Sequence, residues 1–494
     1  MKFISLFYIL SAFIYISSIE PGFQEKLFSN IYEEKKENNI MISPLSIYQV
    51  LSILSNGAGG ATQKEILEVI DSKEVNNNIN ELLDKINNNF ENITSNLETL
   101  NTTNTNNQNK RLIFNNANGF FVNKNCKIKE SFKSIINKYN AYIDKLINAS
   151  QINDFCKKST NGKIPKIIDN ITEETAFILI NAIYFKGYWE IPFNKNNTKK
   201  RIFENRDNSL IEVDTMYNYF EDIKYYKDDN VQMIALPYIS QKLPFKMIII
   251  LPNKEKYSSP LDYIKKENIN YNELFSKLQN RYKNIHLYLP KFKVEFNILL
   301  NKTFKEMNMN LAFSSLADFS NIIEDSDRPI YIEEIMHKTY IEIDEEGTEA
   351  AAVTVAIGVF GSAPPSEEVY MYVNHSFIYA IVCDNIKDHN GNYLIPFIGV
   401  INNLEGNIIK NGTKSDGNID NNNNNDNSKE NNNEETTMIN QNDTHLTNIL
   451  NNSFSNNSNM TETNNKTISF ETNKSEKYRI NLYFIILILM VFIN

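Results

Sequence analysis

Glu342-Ile-Asp-Glu-Glu-Gly-Thr-Glu-Ala-Ala-Ala-Val-Thr-Val-Ala-Ile-Gly-Val-Phe-Gly-Ser-Ala-Pro-Pro365 is the stretch whose reading decides the fold. Taken with period two, it has two unlike faces. Thr348, Ala350, Ala352, Thr354, Ala356 and Gly358 form a face of small residues only, and Ala351, Val353, Val355, Ile357 and Val359 form a mostly β-branched one. Such alternation is a strand signature. A face this small could also enter an already packed sheet without overpacking it. The run ends in Gly-Ser-Ala-Pro-Pro, which is loop chemistry. Alone, the segment fits an ordinary edge strand followed by a turn. It also fits a strand held as a loop in one state and used as a strand in another. The rest of the chain decides between them.

Of the 494 residues, 41% are hydrophobic, enough to bury a large core. The net charge of −10 comes without a basic stripe or basic–aromatic interleaving, so nothing points to nucleic acid. The three cysteines, Cys126, Cys156 and Cys383, are few, odd in number and far apart. They support neither a disulfide framework nor a Cys-rich metal site, and each reads as a small buried apolar residue.

Residues 1–19 read as a secretory signal: Lys2, an apolar run over 3–16, then Ser17 and Ser18 near a cleavage site. Residues 20–405 read as one large mixed domain. Ser43 and Pro44 start a helix expected to run to Ser55, ahead of Gly57-Ala-Gly-Gly60. Thr62-Gln-Lys-Glu65 has capping-box spacing and is expected to open a second helix. The Asn-rich stretch 76–110 reads as an expanded surface loop holding a short helix. Residues 175–185 are almost continuously apolar, as in a strand covered on both faces. Strands are expected at 285–292 and 331–343, with hairpins at 231–238 with 245–251 and at 377–383 with 394–400.

Residues 406–478 are dominated by Asn, Ser, Thr, Glu and Lys, and bury too little apolar area to offset ordering entropy. They are expected to form a disordered stalk. It carries Asn-x-Ser/Thr sequons at Asn411, Asn442, Asn451, Asn456, Asn459, Asn465 and Asn473, each a candidate glycan acceptor. The apolar tail in 479–494 is short for a membrane span and follows a polar spacer, which fits a GPI-attachment signal, with a short tail anchor as the alternative.

Catalytic signatures are missing: no Gly-x-Ser-x-Gly, His-Glu-x-x-His, P-loop or dinucleotide fingerprint occurs. His286 and His337 fall in strand patterns, His375 precedes one, and His389 and His445 fall in loop patterns; each reads by default as a core or surface histidine. No residue carries an enzyme reading, and none calls for a cofactor or a metal.

Seven motifs, in order, resemble those of the serpins over residues 22–405. They are Asn39-Ile-Met-Ile-Ser-Pro-Leu-Ser-Ile47, Asn153 with Thr160-Asn-Gly-Lys-Ile164, Asn181-Ala-Ile-Tyr-Phe-Lys-Gly-Tyr-Trp189, Leu236-Pro-Tyr238, Leu289-Pro-Lys-Phe292, the hinge 345–354 and Pro396-Phe-Ile-Gly399. The pattern departs at Phe155, where the family usually has Trp, at Asn374-His-Ser-Phe377, and at Asn402-Asn403, which lacks a following Pro.

The resemblance implies an α+β serpin fold of three β-sheets, about eight to nine helices and an exposed reactive-centre loop. It implies a serine-type endopeptidase inhibitor acting as a suicide substrate. The protease cleaves the loop, and the freed segment enters the central sheet and traps the acyl-enzyme. The hinge would comprise Glu345, Gly347, Thr348, Glu349, Ala350, Ala351, Ala352 and Thr354. Thr348 would be the first inserting side chain, with Glu345 paired to Lys291 and Trp189 packed nearby. Ser43, Ser46, Asn181 and His337 match a polar cluster beneath the opening sheet. The family's spacing places the cleaved bond at Gly361–Ser362, and a one-residue shift places it at Phe360–Gly361. Gly361 before the cut suits elastase- or subtilisin-like proteases, and Phe360 suits chymotrypsin- or cathepsin-like ones, cysteine proteases included; neither suits a trypsin-like enzyme. The implied protein is a secreted or surface-anchored monomer whose partner is an endopeptidase. The alternative is a non-inhibitory binding or chaperone-like module on the same fold.

Overall fold

A computed structural model describes residues 21–102, 112–172, 175–240, 242–282, 284–324, 329–348 and 368–409, all within one compact unit, 1–412. The readings of residues 1–19 as a leader, of 410–478 in the expected stalk with its sequons, and of 479–494 as an apolar tail fall outside the described residues, as does the segment 349–367. So do the readings placed on Glu349, Ala350, Ala351, Ala352, Thr354, Phe360, Gly361 and Ser362. Nine α-helices and three sheets are described, an α+β fold.

The central sheet has six strands: β1 (Ile113–Asn123), β2 (Tyr142–Leu146), β3 (Phe177–Tyr188), β4 (Phe292–Leu299), β5 (Glu334–Asp344) and β6 (Gly347–Thr348). Their order is β4-β5-β6-β3-β1-β2, and β5 and β3 also pair directly, in parallel, below the short β6. A seven-stranded sheet packs behind it. There, Val231–Pro237 pairs with Phe245–Pro252 and Phe377–Cys383 with Phe397–Ile401, both antiparallel as the expected hairpins require. A five-stranded sheet holds Ile285–Pro290 between Leu210–Phe220 and Val369–Tyr372.

Residues 177–188 are buried on both faces for a visible reason. One face joins the main core through Phe177, Leu179, Ile183 and Phe185, and the other joins a second cluster through Ile178, Ile180, Ala182 and Tyr184. The expected strand 285–292 divides at Lys291, because Ile285–Pro290 and β4 belong to different sheets. β4 then alternates strictly, with Phe292, Val294, Phe296 and Ile298 buried. β5 starts at Glu334 rather than 331.

Three helical expectations change. Helix α1 (Pro44–Gly57) has the expected Ser43 cap, whose side chain accepts from Ser46 N, but runs two residues past Ser55. The next helix, Gly60–Asp71, begins before Thr62, so Thr62 and Glu65 do not form a capping box. Thr62 Oγ1 accepts from Asp318 N at 2.9 Å, and the Glu65 carboxylate accepts from Asn310 N and Leu311 N at 2.8 and 2.7 Å. The glycine pair 59–60 lets the chain enter the helix early, which frees these side chains to satisfy a distant turn. The Asn-rich stretch is no loop with a short helix: Ile79–Thr102 forms helix α2, 24 residues long. Leu82, Ile86, Phe90, Ile93 and Leu100 recur on its buried face at helical spacing, while Asn80, Asn88 and Asn92 are exposed and Asn87 and Asn89 are half-buried and hydrogen-bonded to Tyr139 and Lys387 O. Composition concealed the stripe. No helix among the described residues is long and apolar enough to cross a membrane.

Phe90 anchors α2, its ring centroid 5.2 Å from that of Tyr48 and 5.0 Å from that of Tyr139. Phe90→Ala is therefore expected to cost about 3–5 kcal/mol in chemical denaturation. An exposed loop would show almost no change.

Candidate functional site

The hinge begins in the sheet. After β5 the chain turns at Glu345 and Glu346 and returns as β6, which lies between β5 and β3 and is antiparallel to both. Thr348 faces Ile343 on one side and Gly187 on the other, and is fully buried. Gly347 has φ +144°, and a Cβ there would stand 2.1 Å from Gly187 O, so only glycine fits. Asp344 closes the turn, its Oδ1 accepting from Glu346 N at 2.9 Å. Burial pushes its carboxyl above the usual range.

The pocket receiving Thr348 is aromatic. Tyr238 OH lies 3.1 Å from Thr348 Oγ1, and its ring stacks on Trp189 at 4.5 Å. A Cβ at Gly187 would meet Tyr238 at 2.6 Å, so glycine at 187 makes room for that ring. Trp189 Nε1 donates to Asp344 O at 3.0 Å, and Trp189 N donates to Glu346 O at 2.9 Å, tying the turn to β3.

Glu345 is buried beneath this turn. Its carboxylate accepts from Thr198 Oγ1 at 2.7 Å and pairs with Lys291 Nζ at 3.3 Å. Burial raises the carboxyl, but the Thr198 hydroxyl, a backbone N–H and the Lys291 ammonium outweigh it and hold the group below its usual range. With Lys291 partly exposed, the pair is a moderate clasp rather than a deep ion pair.

Lower in the sheet, where β5 and β3 pair directly, His337 stands opposite Asn181. His337 Nε2 accepts from Ser43 N at 3.1 Å, which leaves the ring proton on Nδ1 to donate to Asn181 Oδ1. Asn181 Nδ2 donates to Ser46 Oγ and to Asn118 Oδ1, and Ser46 Oγ donates to Asn116 Oδ1 at 2.9 Å. The network continues through Gln49, which accepts from Asn116 and donates to Tyr139 O. Within this network Asn118 Nδ2 is buried without a partner, a cost of about 1–3 kcal/mol. Burial drives His337 down to about 3, so it is neutral at any physiological pH.

Every sheet-opening residue singled out in the sequence thus falls in one of two groups. Trp189, Lys291, Glu345, Gly347 and Thr348 meet at the hinge; Ser43, Ser46, Asn181 and His337 meet beneath the β5–β3 seam. Sequence reasoning missed Asn116, Asn118, Gln49, Thr198 and Tyr238. Asn116 and Asn118 interrupt an otherwise apolar strand on its core side, and that was the available signal. His389 is a core histidine between Tyr48 OH (2.6 Å) and Asp71 (3.2 Å). Cys156 and Cys383 are buried and free, and burial pushes them up to about 12 and about 11.

The family profile described as Serpin (serine protease inhibitor) matches residues 21–403. Serpin B3 of Homo sapiens is 30% identical over 394 residues, 74% of this chain and 95% of that protein. The leukocyte elastase inhibitor of Xenopus tropicalis is 29% identical over 398 residues, 78% of this chain and 98% of that protein. Among solved structures, native tengpin, a thermophilic serpin, superposes with a TM-score of 0.64 at 29% identity, covering 80% of this chain and 94% of that one. Human thyroxine-binding globulin complexed with thyroxine is alike in fold, with a TM-score of 0.64 at 24% identity over 78% of this chain and 98% of that one. The chain belongs to the serpin family. Family and fold are those of protease inhibitors in general, whose members are mostly inhibitors rather than catalysts.

A buried neutral His337 links stability to pH. The unfolded chain takes up a proton below about pH 6.5 and the folded one does not, so stability is complete above 6.5 and falls as pH drops toward 3. Lowering pH from 7.5 to 5 should cost the wild type about 2 kcal/mol more than His337→Asn, read as the difference between their denaturation curves.

Proposed function

We propose that this chain inhibits an endopeptidase as a suicide substrate. The protease nucleophile attacks a carbonyl in the loop 349–367, at Gly361–Ser362 or, one residue earlier, Phe360–Gly361. The new C-terminal segment leaves, and the N-terminal segment remains esterified to the enzyme. Insertion of that segment between β5 and β3 then carries the enzyme along and distorts it before water can complete hydrolysis.

The seating of Gly347 and Thr348 between β5 and β3 carries this reading. Continuing the same register, Ala350 comes opposite Ile341 and Phe185, and Ala352 opposite Thr339 and Ile183. The strands already present large side chains on that face, so an entering strand has to be small. Thr354 arrives opposite His337 and Asn181, whose bond has to part, and it brings a hydroxyl to the same two groups. On the other face Val353 comes beside Ala182, and Val355 between Met336 and Ile180, where β-branched side chains extend an apolar cluster. Val353 and Val355 therefore suit the outer face despite their bulk.

The leader, the sequons and the apolar tail support a secreted or surface-held protein. Gly361 and Phe360 support an elastase-, subtilisin- or chymotrypsin-like partner, or a cysteine protease, ahead of a trypsin-like one. The likeness to thyroxine-binding globulin keeps a non-inhibitory binding module as the second reading, and the small inserting face argues against it.

Incubation with a panel of serine and cysteine proteases should give a band at the summed mass that survives boiling in detergent, with the released peptide starting at Ser362 or Gly361. Thr354→Arg should still be cleaved but trap at least about tenfold less enzyme, because an unpaired charge would enter the core opposite His337. Cleavage by every protease without a stable band overturns the inhibitor reading.

A further inference from the structure

The folded domain carries Asn-x-Ser/Thr sequons of its own, at Asn92, Asn148, Asn170, Asn196, Asn301 and Asn374. Folding sorts them. Asn301 uses both ends of its amide: Nδ2 donates to Glu333 O at 2.7 Å, Oδ1 accepts from Ile335 N at 3.0 Å, and Thr303 of the same sequon is buried. A sugar on Nδ2 would displace the first of these bonds. Asn196 is the opposite case. It lies in the short turn Lys195–Asn197, its side chain exposed and bonded to nothing among the described residues. Other groups hold that turn: Asn196 N donates to Asn194 Oδ1 at 3.0 Å, and Asn197 N donates to Asn194 O at 2.9 Å. The same sequon reaches the hinge. Thr198 Oγ1 donates to Glu345, and Lys195 Nζ pairs with Glu346 at 2.9 Å. The threonine hydroxyl is thus turned to the hinge and the asparagine amide to solvent.

We propose that Asn196 is an N-glycan acceptor and that its glycan shields the clasp of the hinge from trypsin-like proteases. The transfer joins Asn196 Nδ2 to the anomeric carbon of a diphosphate-activated oligosaccharide; the bond from that carbon to the diphosphate oxygen breaks, the diphosphate leaves, and the amide gives up one proton. Neither Thr198 nor Lys195 is altered, so the clasp on Glu345 and Glu346 forms unchanged. The shield has a target on the page. Lys195-Asn-Asn-Thr-Lys-Lys-Arg201 puts four exposed cations in seven residues, each a cutting site for a trypsin-like enzyme. The segment 349–367 holds no Lys or Arg with which to engage such an enzyme instead. A cut in the basic run would loosen Lys195 and Thr198 from the hinge turn. The acceptor rests on the reading of the chain as secreted; it does not rest on the inhibitor reading.

The full chain is to be expressed behind its own leader in eukaryotic secretory cells. Glycosidase release in heavy-oxygen water, followed by chymotryptic peptide mapping, marks each formerly occupied Asn as a labelled Asp. Asn196 is expected to be occupied in most of the secreted chain and Asn301 to be empty. Asn196 no more occupied than Asn301 overturns the acceptor, and occupied sequons in 411–473 would then show that the secreted reading survives it. If the chain is not exported, the secreted reading fails, and the same chain behind an established secretory leader decides the acceptor by the same map. Asn196→Gln removes the sequon and leaves Thr198 and Lys195 in place. Trypsin should cut this variant between 195 and 202 at least about threefold faster than the glycosylated wild type, read by N-terminal sequencing of the new fragment. Wild type stripped of its glycan should match the variant. Equal rates for glycosylated and stripped wild type overturn the shield and leave the acceptor standing.

Discussion

The hydrogen bond between His337 and Asn181 spans the seam on which the rest of the structure turns. It joins the two middle strands of the central sheet where they pair directly, and it is made inside the core, where water cannot compete. Ser43 and Ser46, at the start of α1, hold the pair from below, so one helix terminus sets both the histidine tautomer and the asparagine orientation. The seam is closed by this polar cluster together with apolar pairs such as Ile335 with Leu179 and Met336 with Ile180. Such a closure is specific, because an apolar side chain in place of any one of these polar groups would strand its partners.

The hinge shows the complementary constraint. Gly347 and Thr348 fill the top of the seam because everything around them is shaped for small residues. Gly187 yields space to Tyr238, Tyr238 supplies a partner for the Thr348 hydroxyl, and Trp189 clamps the turn through its indole N–H. Glu345, held by Thr198 and Lys291, fixes where the turn begins. The register of Gly347 and Thr348 against both neighbouring strands is thereby fixed.

Much of this was legible in local pattern. The alternating faces after Gly347, the polar residues Ser43, Ser46, Asn181 and His337 within apolar runs, and the lone Trp189 all mark positions whose chemistry differs from their neighbours'. The misreadings have physical causes as well. The many asparagines of α2 look like loop composition, although Leu82, Ile86 and Phe90 keep the helical period. Thr62 and Glu65 have the spacing of a cap, yet their partners are the backbone donors of residues 310, 311 and 318, which no local rule connects to them.

By itself the sequence determined the family, the alternation of small residues after Gly347 and the polar residues of the seam, because side-chain size, polarity and order along the chain are local properties. Only the tertiary structure decided that Thr348 is seated between Ile343 and Gly187 and that Asn116 and Asn118 join the histidine cluster. Those facts depend on register between strands distant in sequence, and register is set by which surfaces pack together, not by any one segment's preference.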